Sequence, residues 1–201
     1  MQYLDSKRPV EISYSTLPHW QQGCSVQFIT WRLADSLPQS KLSELRKIYV
    51  DFSRRNPKPW AASTSSEYAD MTINQIESWI HHGYGECVLK NPNIRAIVSE
   101  TFQRYEKRSY DLLSYVIMPN HLHLLISPYE PLNRIVQTLK RETAISINQA
   151  LGRNGQLWQR NYFDRIVRSP RDLEKYMRYI EKNPQSLPTS DYTLYVPGLI
   201  R

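Results

Sequence analysis

The chain has no apolar run approaching the roughly 18–20 residues that a membrane helix needs. Its first residues, MQYLDSKRPVEIS, hold no apolar stretch of the signal-peptide kind. Only two cysteines, Cys24 and Cys87, occur in 201 residues. They are too few for a disulfide framework or a cysteine-based zinc cage. These absences lead us to expect a cytoplasmic protein with no membrane partner. Acidic side chains are in the minority, 19 Asp and Glu against 26 Lys and Arg, giving a net charge of +7. Such an excess favours a polyanionic partner. With 40% hydrophobic and 22% charged residues, the composition is that of a globular domain able to bury a core.

Periodicity divides the chain. SVQFITWRL (25–33) alternates and is rich in β-branched and aromatic residues, so it predicts a strand. Leu42, Leu45, Ile48, Tyr49 and Phe52 share one face of a helix over 41–55. The Pro- and Ser-rich stretch 56–68 predicts a loop, and 72–85 a short helix ending at Gly83. Asn91 and Pro92 open a helix over 91–108. Two apolar runs, 111–118 and 121–127, flank Pro119-Asn120 as the strands of a hairpin. An amphipathic helix over 131–152 stops at Gly152, and 156–168 predicts a strand. Ser169 and Pro170 open the last helix, 169–183, and the tail to Arg201 is expected to be irregular. This order predicts an α+β fold, a ferredoxin-like or RRM-like antiparallel sheet with helices packed on it.

Two of the five histidines stand in MPNHLHLLI (118–126). On a strand, residues two apart point the same way, so His121 and His123 project together. They could grip one metal ion, or be half-buried histidines bonded to neighbours. Two imidazoles are short of a closed zinc site and would leave positions open for water or substrate. His81 and His82, adjacent before Gly83, point about 100° apart and look like a helix C-terminus. His19 lies in a Pro-rich loop without company. Residues 153–182 carry eight Lys or Arg against four Asp or Glu, with aromatics interleaved. That composition suits single-stranded nucleic acid, although Trp158 and Phe163 fit core positions better than stacking platforms. On the last helix, Tyr176, Asn183, Asp172 and Tyr179 lie along one flank of the Leu173, Met177, Ile180 stripe. A tyrosine there needs a metal or a base beside it to act as a nucleophile.

MPNHLHLLI, LWQRNYFDRIVR (157–168) and YMRYIEKNP (176–184) together resemble the REP-associated tyrosine transposases. These are bacterial relatives of the IS200/IS605 single-tyrosine transposases, within the HUH endonuclease superfamily. FITWRLADSLP (28–38) is similar to the first strand and turn of one branch. The resemblance covers most of 24–185. It implies an HUH single-tyrosine transposase domain over 24–185, preceded by an extension (1–23) and followed by a tail (186–201), with 56–86 as an insert. It further implies a metal-dependent enzyme that cuts and rejoins single-stranded DNA at palindromic, REP-like hairpins through a 5′-phosphotyrosine. His121 and His123 would bind Mg²⁺ or Mn²⁺. Tyr179 would be the nucleophile, with Tyr162 and Tyr176 as alternatives. Asn183 stands where IS200-type enzymes carry a metal-binding Gln, and Asp164 is the alternative third ligand. Lys140, Arg141, Arg153, Arg160, Arg165, Arg168 and Arg171 are the DNA-binding candidates. A cytoplasmic, nucleoid-associated protein, monomeric or homodimeric, would follow. Two other classes compete: an inactive domesticated transposase that binds structured single-stranded nucleic acid, and a zinc hydrolase, for which no third ligand or Glu base is visible near the histidines.

Overall fold

The computed structural model describes residues 1–14 and 18–197; residues 15–17 of the N-terminal extension and 198–201 of the tail lie outside the described residues. Two short strands, β1 (Glu11–Tyr14) and β2 (Pro18–Gln21), pair antiparallel ahead of the main sheet. Then follow β3 (Gln27–Arg32), α1 (Gln39–Arg55), α2 (Ala62–Ile80), α3 (Pro92–Tyr105), β4 (Tyr110–Ile117), β5 (His121–Pro128), α4 (Leu132–Ala150), β6 (Phe163–Ile166), α5 (Pro170–Lys182) and β7 (Thr193–Tyr195). The main sheet has the order β6-β3-β5-β4-β7, and every pairing in it is antiparallel.

With β7 set aside, the pattern is βαββαβ with the first strand between the fourth and the third. That is the ferredoxin-like arrangement expected from the sequence. Both strands flanking β3 run against it, so its alternation decides which side chains reach which layer. On one face Ile29, Trp31, Leu122, Leu124 and Ile126 pack with Val98 and Phe102 of α3 and Leu139 of α4. Each such fully buried aliphatic side chain contributes about 1.5–3 kcal/mol relative to exposure. On the other face Val26, Phe28, Val116 and Leu125 pack with Ile180 of α5. Thr30 and Arg32 of β3 and His121 and His123 of β5 occupy the polar positions of this second face.

Local chemistry sets the helix ends near the site. The Ser169 hydroxyl accepts from the Asp172 amide at 3.1 Å, and Pro170 opens α5. Gly85 has φ +88°, and a Cβ there would lie 2.7 Å from the Asp35 carbonyl oxygen. The Asp35 carboxylate accepts from the Glu86 amide at 2.8 Å, so this glycine lets the chain leaving α2 press against the end of β3.

Three stretches depart from the sequence reading. The region read as a loop over 56–68 turns helical from Ala62, because Ser65 and Ala69 are buried and tertiary packing overrides the weak helix propensity of Ser and Thr. The strand read over 156–168 shrinks to Phe163–Ile166, since residues 159–161 direct their carbonyls at Lys140 instead of a neighbouring strand. The tail is not wholly irregular: Thr193–Tyr195 extends the sheet beside β4.

Candidate functional site

His121 and His123 face the α5 side of the sheet, opposite Arg32 and Thr30 in register. Their ring centroids are 5.1 Å apart, and both are buried, at 1% and 0% exposure. The Asn120 amide donates to the carbonyls of Ile80 (3.0 Å) and Tyr84 (3.2 Å), which orients its side-chain oxygen as an acceptor. That oxygen lies 2.8 Å from Nδ1 of His121, so Nδ1 carries the proton and Nε2 presents a lone pair. Nδ1 of His123 lies 2.7 Å from Thr30 Oγ1. Burial holds both imidazoles neutral: His121 falls well below the ordinary histidine value, and His123 is lowered to about 3. Neutral imidazole is the metal-ligating form.

α5 brings two more groups. The Tyr179 ring stands edge-on to His123 at 5.0 Å. One turn later, Asn183 Nδ2 lies 3.2 Å from His123 Nε2. Nε2 of His121 and Oδ1 of Asn183 are both buried without a hydrogen-bond partner. Orphaned buried acceptors are costly, and two of them beside His123 suit a cation. Among the described residues no group of three or more His, Cys, Asp and Glu side chains is arranged to hold a metal. Two imidazoles and an amide oxygen, the set that the resemblance implied with Asp164 as the alternative to Asn183, could hold a divalent cation and leave positions open on it.

The other candidates fall elsewhere. Tyr176 shares the α5 face but stacks on Phe28 at 4.5 Å. Tyr162 packs with the α3/α4 core and stacks on His19 at 4.0 Å. Asp164 pairs in register with Ile29, which turns its side chain to the α3/α4 face, away from the histidine pair. There it lies 2.5 Å from His19 Nδ1 and accepts from the Trp20 amide at 3.1 Å. His19, read as a histidine without company, is thus one half of a buried pair.

Two residues at the C-terminal end of α2 join the site, Glu77, which the sequence reading missed, and His81, which it read with His82 as a helix C-terminus. The Glu77 carboxyl interacts with the Tyr179 hydroxyl. His81, at the end of the helix, meets His121 edge to face at 5.5 Å. The spacing of four residues places both on one helix face, and this was the available signal. Burial raises the Glu77 carboxyl above the usual range. Burial, reinforced by Glu77, pushes the Tyr179 hydroxyl well above the ordinary tyrosine value.

The basic residues divide into two groups. Arg141, Arg160, Arg168 and Arg171 are exposed. Lys140 is not a free cation: its ammonium donates to the carbonyls of Gln159 (2.6 Å), Arg160 (2.8 Å) and Asn161 (3.4 Å), and burial lowers it to about 8. Arg153 pairs with Glu86 at 2.5 Å, and Arg165 pairs with Asp70 on α2.

Residues 84–183, which span both histidines, Tyr179 and Asn183, match the family of IS200-like transposases. The chain belongs to the IS200-like transposases. Two solved structures are similar to it. One is a REP-associated tyrosine transposase bound to a REP hairpin, with 14% identity, 86% of this chain and 74% of that chain covered, and a TM-score of 0.40. The other, assigned as a transposase, comes from Deinococcus radiodurans R1, with 16% identity, 78% and 88% covered, and a TM-score of 0.32. No curated protein matches the chain. No helix of this transposase, among the described residues, is long and apolar enough to cross a membrane.

Proposed function

We propose that this transposase is a metal-dependent single-strand endonuclease and strand transferase, acting on hairpin DNA of the REP type through a covalent phosphotyrosine. The observation that carries the reading is the convergence on one sheet face of two neutral imidazoles, the orphaned Asn183 oxygen and the Tyr179 phenol. His121, His123 and Asn183 would hold Mg²⁺ or Mn²⁺, which supplies Lewis acidity toward a phosphate oxygen.

This chain's own residues do the rest. Glu77 accepts the proton of the Tyr179 hydroxyl, and the phenolate oxygen attacks phosphorus in line. The Tyr179 Oη–P bond forms and the P–O3′ bond breaks. The departing 3′ oxygen takes a proton from solvent, and a 5′-phosphotyrosine remains. In the reverse direction another 3′-hydroxyl attacks that phosphorus, loses its proton, and protonated Glu77 returns a proton to the phenolate. The covalent link conserves the phosphodiester bond, so rejoining needs no nucleotide cofactor. Thr30 acts by holding the His123 ring.

The test is a denaturing gel of protein incubated with labelled hairpin DNA. An adduct is expected from the parent with Mn²⁺, from Tyr162→Phe and from Tyr176→Phe, and none from Tyr179→Phe or with EDTA. An adduct lost in Tyr162→Phe and kept in Tyr179→Phe would overturn the assignment of the nucleophile.

A second reading, a binder of structured single-stranded nucleic acid without catalysis, is favoured by one feature. Both imidazoles are inaccessible to solvent beneath Tyr179 and His81, so a phosphate reaches them only if α2 or α5 shifts. DNA binding with no adduct from any variant, indifferent to EDTA, would select that reading.

A further inference from the structure

A cavity of about 690 Å³ lies beneath α1 and α2 on the sheet face that carries the histidines. It shares two walls with the candidate site. Thr30, which bonds His123, and Glu77, which interacts with Tyr179, both line it. Its volume falls within the range of small-ligand pockets.

The lining is chemically specific. Tyr49 from α1, Trp60 from the α1–α2 connection and Tyr68 from α2 form an aromatic cluster, with centroids 6.0 Å (Tyr49 to Trp60), 5.9 Å (Tyr49 to Tyr68) and 5.1 Å (Trp60 to Tyr68) apart. Tyr49 is 37% exposed, so the cluster reaches the surface. Lys58 Nζ stands 5.0 Å from the Trp60 centroid and 5.2 Å from that of Tyr49. From the sheet side comes Arg32, only 8% exposed. Its Nη1 donates to Ser36 Oγ at 2.9 Å and the Leu33 carbonyl at 3.4 Å. Among the described residues no carboxylate lies within ion-pair distance of it, and Asp35 favours its charge only from farther away. A buried guanidinium beside empty space is costly unless an anion compensates it, and its fork geometry matches a phosphate. An aromatic cluster serving only to join two helices would need neither the cation nor the space.

We propose that this cavity binds one unpaired nucleotide of the DNA strand beside the scissile phosphate, its base among Tyr49, Trp60 and Tyr68 and its phosphate on Arg32. This rests on the transposase reading above. Aromatic faces accept any base, so the site would hold a strand in place without reading its sequence. A duplex cannot enter beneath two helices, so occupancy requires a single-stranded or extruded nucleotide. The segment between β3 and α3 thus positions the strand for the Tyr179 oxygen.

The test uses full-length Tyr179→Phe protein, which binds without cutting. Its ligand is a hairpin oligonucleotide with single-stranded flanks, at low salt, where phosphate contacts alone suffice for binding. Abasic sites are scanned through each flank. One position should weaken binding about tenfold, within the range for losing base–aromatic stacking. In the added presence of Trp60→Leu, or of Tyr49→Leu should the first fail to fold, the same abasic site should cost less than about twofold. A neutral methylphosphonate at that nucleotide should likewise lose its penalty in Arg32→Gln. Binding with no sensitive position, or a penalty that persists in the Trp60 and Tyr49 variants, overturns the cavity assignment alone. No binding by the Tyr179→Phe parent overturns the transposase reading and the cavity assignment with it.

Discussion

Glu77 on α2 and Tyr179 on α5 interact, so a carboxyl from α2 faces the phenol on the last helix. Glu77→Gln keeps the shape and removes the proton acceptor. Adduct formation should slow by about 10²- to 10⁴-fold, the usual contribution of a positioned base, with DNA affinity unchanged. The sign of the pH dependence follows from burial, which raises Glu77. Its basic form is required, so the parent's rate should climb with pH through that raised value and then level off. The two buried imidazoles stay neutral over this range and cannot supply the limb. A Glu77→Gln profile that keeps the limb would remove Glu77 from the chemistry.

Asn120 ties the hairpin turn to the end of α2 and sets the His121 tautomer. Asn120→Ala should lower Mn²⁺ affinity by about 10- to 100-fold, as loss of a partner behind a ligating histidine typically does. Calorimetric titration of Mn²⁺ into parent and variant checks this. Equal affinities would mean that Asn120 serves the turn and not the metal.

Much of this site was legible because its signals are local. The His121–His123 spacing is a strand property, and Tyr179 and Asn183 share a helix flank by periodicity. The ferredoxin-like sheet followed from the order of predicted elements. The parts that were hidden depend on contacts between distant segments. Glu77 and His81 become functional candidates only because the end of α2 meets the start of β5 and the last helix, and nothing within residues 62–81 announces that meeting. The adjacent His81 and His82 read as a helix C-terminus, and His82 serves as one: it is exposed and bonds back to the Ser78 carbonyl at 2.9 Å. The sequence around His19 shows no companion because its partner Asp164 is 145 residues away.

That His19–Asp164 pair anchors β2 to β6 from the face opposite the site. His19→Phe preserves the stack on Tyr162 and leaves the carboxylate buried without its partner. Unfolding in urea at neutral pH should reveal a loss of about 3–5 kcal/mol, the cost of breaking a buried pair from one side. Burial raises Asp164 in the folded protein, so the folded state holds a proton that the unfolded chain releases. The penalty should therefore shrink as pH falls toward the ordinary carboxylate range, where the group is neutral. Asp164→Asn added to His19→Phe should recover part of the loss at neutral pH. A loss independent of pH would point to packing alone.

The basic surface yields the last expectation, and it separates exposed cations from engaged ones. Counterions are released only by side chains that reach phosphates from solvent, so each such contact adds about 0.7–0.9 to the slope of log affinity against log salt. Arg141, Arg160, Arg168 and Arg171 are exposed, so replacing any of them with Gln should flatten the slope by roughly that amount if it touches the DNA backbone. Lys140 spends its ammonium on three carbonyls, Arg153 on Glu86 and Arg165 on Asp70. Gln at those three positions should leave the slope unchanged. Lys140→Gln should instead lower stability, because the carbonyls ahead of β6 lose their common donor. Hairpin binding measured between about 50 and 200 mM salt decides the matter. A slope that flattens for Lys140→Gln and not for the four exposed arginines would put the DNA on the loop before β6, and would require the Lys140 side chain to leave its carbonyls when DNA binds.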